Sequence, residues 1–210
     1  MTRPPGLLIV LSAPSGGGKT TLSERIVAED SNVRRAITCT TRAPRRGERD
    51  GVDYHFLSLA SFTAKHNEPD QFLEHAQVHG HHYGTLKSEV LGKLREGFDV
   101  LLSIDVQGAG TLKRRAKQDR DLRHSLITVF LAPPSLAVLE QRLRSRRTDS
   151  NETIVRRIAG AQAELERWRD YDYLIVSGTV ENDMRKMLSI LTAERLRSER
   201  VIEPPPSLAP

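Results

Sequence analysis

A glycine triplet set directly against a lysine, in LSAPSGGGKTTL (Leu11–Leu22), constrains this 210-residue chain more than any other stretch. Ahead of it, Leu7–Ser12 reads LLIVLS, a continuous apolar run of strand length, expected to be buried on both faces. Residues 13–18 form a small-residue loop, and helical spacing begins at Lys19. Strand, loop and helix in that order are the setting in which the pattern G-x-x-x-x-G-K-S/T cradles phosphate. Backbone N–H groups of Ser15 through Thr20 can then turn inward around phosphate oxygens, helped by the positive end of the helix. Glycine permits both the turn and the close approach. The candidate nucleoside triphosphate-binding residues are Ala13, Pro14, Ser15, Gly16, Gly17, Gly18, Lys19, Thr20 and Thr21. Lys19 would reach the β- and γ-phosphates, and the Thr20 hydroxyl would ligate a Mg²⁺ ion that arrives with the nucleotide. Ala13 departs from the pattern by standing at its first glycine.

Further apolar runs of strand length occur at 99–105, 125–132 and 172–176, and most are separated by stretches with helical spacing. That alternation predicts a parallel sheet with crossover helices, its strands buried on both faces. Helices are predicted over 18–30, 87–96, 107–118, 135–145, 150–169 and 181–199, with Ser135 and the DSNE stretch (149–152) as capping signals. Trp168 is expected to pack a helix end against the core. Residues 37–86 differ: short β-prone pieces sit among Gly, Pro and charge, with one small helix near 58–66, as in a small mixed sheet inserted beside the core. The proline-rich end, EPPPSLAP, is expected to be disordered.

The net charge is +5, and 25 of the 32 basic residues are arginine. Two stretches hold the excess: 42–49, with four Arg and one Glu, and 140–157, with six Arg against three acids. Clustered arginine suits bidentate binding of phosphate, in a small ester or in nucleic acid. Base-stacking aromatics are scarce at 5% of the chain, which argues against a nucleic-acid partner. No apolar run approaches the ~20 residues that span a bilayer, so no membrane partner is expected. A single cysteine, Cys39, excludes an intrachain disulfide and fits a cytoplasmic protein. His75, His79, His81 and His82 fall irregularly around a glycine and do not suggest a metal site.

Six motifs in order resemble the guanylate kinase family, especially its bacterial members: APSGGGKTT, TCTTRAPRRGERDGVDYHF, FLEHAQVHGHHYGT, IDVQG, RLRSRRTDSNETIVRRIAGAQAELE and AERLRSER. The resemblance runs from about Leu7 to Arg200. It implies an α/β protein with the P-loop nucleoside monophosphate kinase fold: a five-stranded parallel sheet flanked by helices, a small mixed α+β GMP-binding insertion and a helical lid. The corresponding segments are 1–36, 87–139 and 160–200 for the core, 37–86 for the insertion, 140–159 for the lid and 201–210 for the tail. The implied reaction is Mg²⁺-dependent transfer from ATP to GMP, with dGMP a second acceptor to test and the oligomeric state, monomer or homo-oligomer, left open.

The resemblance also implies roles. Arg42, Arg45, Tyr54 and Tyr83 would grip the GMP phosphate, while Glu74 and Asp105, with the hydroxyls of Thr38 and Thr85, would read guanine. Lys19, Arg42, Arg146 and Arg157 would be catalytic, and Arg142 would join the ATP site. The monophosphate oxygen is already ionised at neutral pH, so transfer needs alignment and charge neutralisation rather than a general base. Guanine offers N1–H and a 2-amino group, which carboxylates can accept, and adenine would leave those carboxylates unmatched. Three departures stand out. Ser103 occupies a position where the family often has an acid, Arg147 replaces a lid glycine, and IVSGT lacks an Asn-Asp pair. A non-catalytic relative would have lost the phosphate loop, whereas Lys19 and Thr20 are present. A kinase for a phosphorylated ribose is the nearest enzymatic alternative, and the acids at 74 and 105 argue against it.

Overall fold

A computed structural model describes residues 6–78, 80–145 and 150–200. The expected tail, residues 201–210, lies outside them, as do Arg146 and Arg147. The chain opens with β1 (Leu8–Ser12), α1 (Lys19–Glu29) and β2 (Val33–Arg35). It then enters β3 (Cys39–Thr40), β4 (His55–Phe56), α2 (Leu59–Asn67), β5 (Phe72–Val78) and β6 (His81–Leu86). Next come α3 (Lys87–Arg95), β7 (Asp99–Ser103), α4 (Val106–Ala116), α5 (Arg120–Ser125) and β8 (Leu126–Ala132). Helices α6 (Leu136–Ser145) and α7 (Asn151–Leu165) follow, then a 3₁₀ turn at Glu166–Asp170, β9 (Tyr173–Val176) and α8 (Val180–Arg195).

Five strands make a parallel sheet in the order β2-β7-β1-β8-β9. Strand β1 is central, so both faces of its apolar run find a partner. Ile9 and Leu11 pack with Leu22 and Ile26 of α1 and with Met184, Met187 and Leu191 of α8. Leu8 and Val10 point the other way, into Val90 and Leu94 of α3 and Leu112 of α4. The chain leaves β1 toward one edge of the sheet and later crosses to the other side of β1 through β8. The end of β1 is therefore a topological switch point, where open α/β sheets leave a crevice.

Residues 39–86 build a second, four-stranded mixed sheet in the order β4-β3-β6-β5, with α2 against it. Its small core holds Phe62 stacked on Phe72 at 4.9 Å, together with buried Cys39. Helices α6 and α7 enclose a third cluster of Leu139, Leu143, Ile154 and Ala161. Both predicted caps form: the Ser135 and Ser150 hydroxyls accept the N–H groups of Val138 and Thr153 at 3.2 and 3.3 Å. Among the described residues no helix is long and apolar enough to cross a membrane.

Two expectations need correction. Strand β9 is an edge, so only Ile175 is buried while Leu174 and Val176 face outward. Trp168 does not pack a helix end into the core. It is exposed in the 3₁₀ turn, with the Arg169 guanidinium 4.7 Å above its ring.

Candidate active site

The glycine triplet earns its place through backbone shape. Gly16 and Gly18 adopt φ of 87° and 98°, in the left-handed region where a side chain is strained. Between them, a Cβ at Gly17 would come within 2.8 Å of the Ala13 methyl. The same Cβ would meet the Pro14 carbonyl oxygen at 2.9 Å, so position 17 stays bare and leaves room for the Ala13 methyl. Lys19 folds back over the loop and donates its Nζ–H to the Ala13 carbonyl. That bond ties the lysine to the backbone of its own loop.

A cleft of about 520 Å³ opens at the C-terminal ends of β1 and β7, lined on one side by Ala13–Thr20. The insertion forms the opposite wall with Thr38, Arg42, Arg45, Tyr54, Glu74 and Tyr83. Ser103 and Asp105 form the floor, and Thr153, Arg156, Arg157 and Glu164 of α7 overhang it. Both arginine-rich stretches of the sequence therefore converge on one cavity.

Each wall has its own internal scaffolding. Arg42 is held by two 2.9 Å bonds to Glu48, whose carboxylate also accepts the Arg45 N–H at 2.6 Å. The Arg42 guanidinium lies 5.4 Å over the Tyr54 ring, and Tyr54 meets Tyr83 edge-on at 6.2 Å. Partial burial pushes the Glu48 carboxyl upward, yet Arg42 and the Arg45 amide hold it below its ordinary value.

Glu74 points inward because β5 is irregular between Phe72 and Glu74. Phe72, Leu73 and Glu74 are buried in succession, which strict alternation would forbid. Its Oε1 accepts the Thr85 hydroxyl at 2.6 Å. Burial raises the Glu74 carboxyl from its ordinary 4.5 to about 7, against the Thr85 bond and with a further push from Asp105. Strand β7 ends at Ser103, earlier than the predicted 105, and Asp105 becomes the N-cap of α4 by accepting the Gly108 N–H at 3.0 Å.

Not every candidate lines this cleft. Thr85 is fully buried behind Glu74, its hydroxyl engaged as donor. Thr21 and Arg142 line an adjoining hollow of about 300 Å³ on the far side of the loop, with Gly16, Gly18, Ser177 and Asp183. There Arg142 Nη2 donates to Ser177 Oγ at 3.4 Å, and Ser177 donates to Asp183 at 3.0 Å. Arg146 lies outside the described residues. Arg144, on the outer face of α6, is exposed and bonded to Glu140 at 2.7 Å.

Sequence reasoning missed Glu48 and Glu164. Glu164 follows Arg157 by seven residues, two helical turns, so both reach the loop from one face of α7. Arg157 Nη1 donates to Ser15 Oγ at 3.5 Å, and the Ser15 amide lies near enough to the Glu164 carboxyl to favour its ionised form. Burial raises the Glu164 carboxyl, with Lys19 opposing the shift. That spacing was the available signal.

Known proteins match this chain over most of its length. The family model described as "Guanylate kinase" matches residues 6–194. A guanylate kinase of Maricaulis maris (strain MCS10) is 45% identical over 195 residues, which is 93% of this chain and 86% of that one. One from Myxococcus xanthus (strain DK1622) is 45% identical over 199 residues, 94% of this chain and 91% of its own. Among solved structures, the guanylate kinase of Anaplasma phagocytophilum superposes with a TM-score of 0.77 at 28% identity, covering 96% of this chain and 92% of that one.

Proposed function

Since the chain belongs to the guanylate kinase family, we propose that it transfers the γ-phosphoryl group of ATP to GMP, giving ADP and GDP. The observation that carries this reading is the pair Glu74 and Asp105 on one side of the cleft that the phosphate loop lines on the other. We assign 37–86 as the GMP-binding insertion, 140–159 as the lid, and the remainder of residues 1–200 as the core.

Each group has a task set by charge. Loop amides and Lys19 bind the ATP phosphates, and Arg142 belongs to the ATP side through the adjoining hollow. Arg42, Arg45, Tyr54 and Tyr83 hold the GMP phosphate so that one of its ionised oxygens points at the γ-phosphorus. No proton has to be removed from that oxygen. Arg157, with Arg146 from the lid, neutralises charge on the phosphoryl group in flight. Asp105 and an ionised Glu74 accept the N1–H and 2-amino hydrogens of guanine, Thr38 offers its hydroxyl to the base, and Thr85 holds Glu74 from behind. Adenine in this pocket would leave two acids without donors, a loss that sites of this type convert into roughly 10⁴–10⁵ of discrimination.

The residues present fit a Mg²⁺ that arrives with the nucleotide. Thr20 lines the cleft, and among the described residues no group of three or more His, Cys, Asp or Glu could hold a metal unaided. Thr20 would ligate it, and Ser103 in place of an acid leaves Asp105 as the carboxylate on the floor. Bound Mg²⁺ supplies charge neutralisation at the β- and γ-phosphate oxygens. Convergence of both arginine stretches on a small cavity supports nucleotides rather than nucleic acid as partners. The reading includes a cytoplasmic setting, where ATP and GMP are available and Cys39 stays reduced.

The test is ADP release with ATP against GMP, dGMP, AMP, CMP, UMP and ribose phosphates. GMP is expected to dominate. Equal turnover of GMP and AMP would overturn the base-reading assignment, and preference for a sugar phosphate would overturn the acceptor altogether.

A further inference from the structure

Gly108 occupies the third position of α4, between the two acids of the base pocket. Its N–H donates to Asp105 Oδ1 at 3.0 Å, which closes the helix cap. Its other side faces Glu74. A Cβ at residue 108 would lie 2.5 Å from Glu74 Oε2, 3.2 Å from Glu74 Cδ and 3.2 Å from Asp105 Oδ1. Carbon and carboxylate oxygen do not pack at 2.5 Å, so one of them would have to move. Glu74 is the end of a side chain, but it is only 2% exposed and Thr85 holds its other oxygen at 2.6 Å. The space left for it is the cleft itself, where the base is to be read.

Local backbone preference does not account for glycine here. Gly108 is absent from the positive-φ residues, so its conformation is open to any side chain. Alanine is also the stronger helix former within a helix. A poor local choice retained against propensity marks a constraint from elsewhere in the fold. Gly110 supplies the contrast two residues on: a Cβ there would meet Arg114 Nη1 at 3.6 Å, an ordinary contact.

Resting on the GMP reading above, we infer that Gly108 is a specificity-positioning residue. The bare Cα lets the Glu74 carboxylate lie against the first turn of α4, level with Asp105, so that both acids face one guanine edge. Gly108 touches no reacting atom and acts through Glu74.

The experiment measures KM for GMP, KM for ATP and kcat in Gly108→Ala, Gly110→Ala, Glu74→Asp, Glu74→Gln and the double variant Glu74→Asp/Gly108→Ala. Gly108→Ala is expected to raise KM for GMP by roughly 10- to 100-fold, the range for one buried hydrogen bond left unmade, with KM for ATP unchanged. Gly110→Ala is expected to leave all three parameters at wild-type values. In the Glu74→Asp background the shorter acid ends about one methylene away from residue 108, so adding the alanine should change KM for GMP by no more than about twofold. An equal penalty in both backgrounds, or a wild-type KM for GMP in Gly108→Ala, would overturn the inference. Should Gly108→Ala not fold alone, the double variant is expected to fold, and its failure to do so would count equally against us. Glu74→Gln separates the two claims. If it leaves GMP use intact, the guanine reading fails; if it damages GMP use while Gly108→Ala does not, the glycine assignment alone fails.

Discussion

The phosphate cradle and the base pocket share one cleft and are made in opposite ways. The cradle is a single run, Ala13–Thr20, which on the proposed reading binds mainly through backbone N–H groups, so its shape is set by φ angles at Gly16 and Gly18. On the proposed reading, the base pocket gathers Thr38, Glu74 and Asp105 from separate segments and works through side chains, Glu74 held by the Thr85 hydroxyl and Asp105 by the Gly108 amide. Backbone amides suit any phosphate, and so they bind without discriminating. Two acids that need donors bind little but reject strongly, because a wrong base leaves them desolvated and unpaired. On this reading, affinity for the anion and choice of the base have separate physical origins within one cleft.

The contrast can be broken first at the cradle. Lys19→Ala should reduce kcat by roughly 10³-fold or more while the chain still folds, because Lys19 lines the cleft rather than the core and its loss leaves the charge on the transferred phosphoryl group uncompensated. Turnover near the wild-type value would remove the cradle from the chemistry. Next in size is Glu74→Gln, expected to lower kcat/KM for GMP by roughly 10²-fold with KM for ATP unaffected. Equal losses for both substrates would mean that the two regions are not separable.

A third expectation uses pH. Guanine needs Glu74 ionised, and burial holds its carboxyl at about 7, so KM for GMP should fall as pH rises through 7 while KM for ATP stays level. Stability moves in the opposite direction. A carboxyl raised in the folded chain favours folding while protonated and loses that contribution as pH climbs from 4.5 through 7. Relative to Glu74→Gln, wild type should lose about 3 kcal/mol between pH 4 and pH 8, measured by denaturant titration. A flat difference would show that Glu74 is not the titrating group. The smallest effect expected is for Glu48→Gln, which loosens Arg42. It should cost about threefold to tenfold in kcat/KM for GMP, read in the same assay, and nothing for ATP.

The same contrast decides what the sequence could disclose. Strand, loop and helix around Lys19 were legible because their pattern is contiguous, and β1, β7 and β8 were legible because central strands are apolar on both faces. Strand β2, only VRR with Val33 buried, carries no such pattern and becomes a strand by pairing with β7. The outward faces of Leu174 and Val176 follow from an edge position, which local sequence does not encode. Helix α5 was missed because it is six residues long with one buried apolar side chain, Leu122. Glu74 could be located by motif, but its orientation depends on the irregularity in β5, and the partners of Glu48 and Glu164 depend on how loop and helix are placed.

Cys39 carries a practical consequence. It is the chain's sole thiol, it sits in the core of the small sheet, and burial drives it up to about 11, so scarcely any nucleophilic thiolate exists in the folded state. A chromogenic disulfide reagent can reach it only when that sheet comes apart. The speed of colour formation therefore clocks the opening of residues 39–86, and a ligand seated against that sheet should slow the clock without any engineered label.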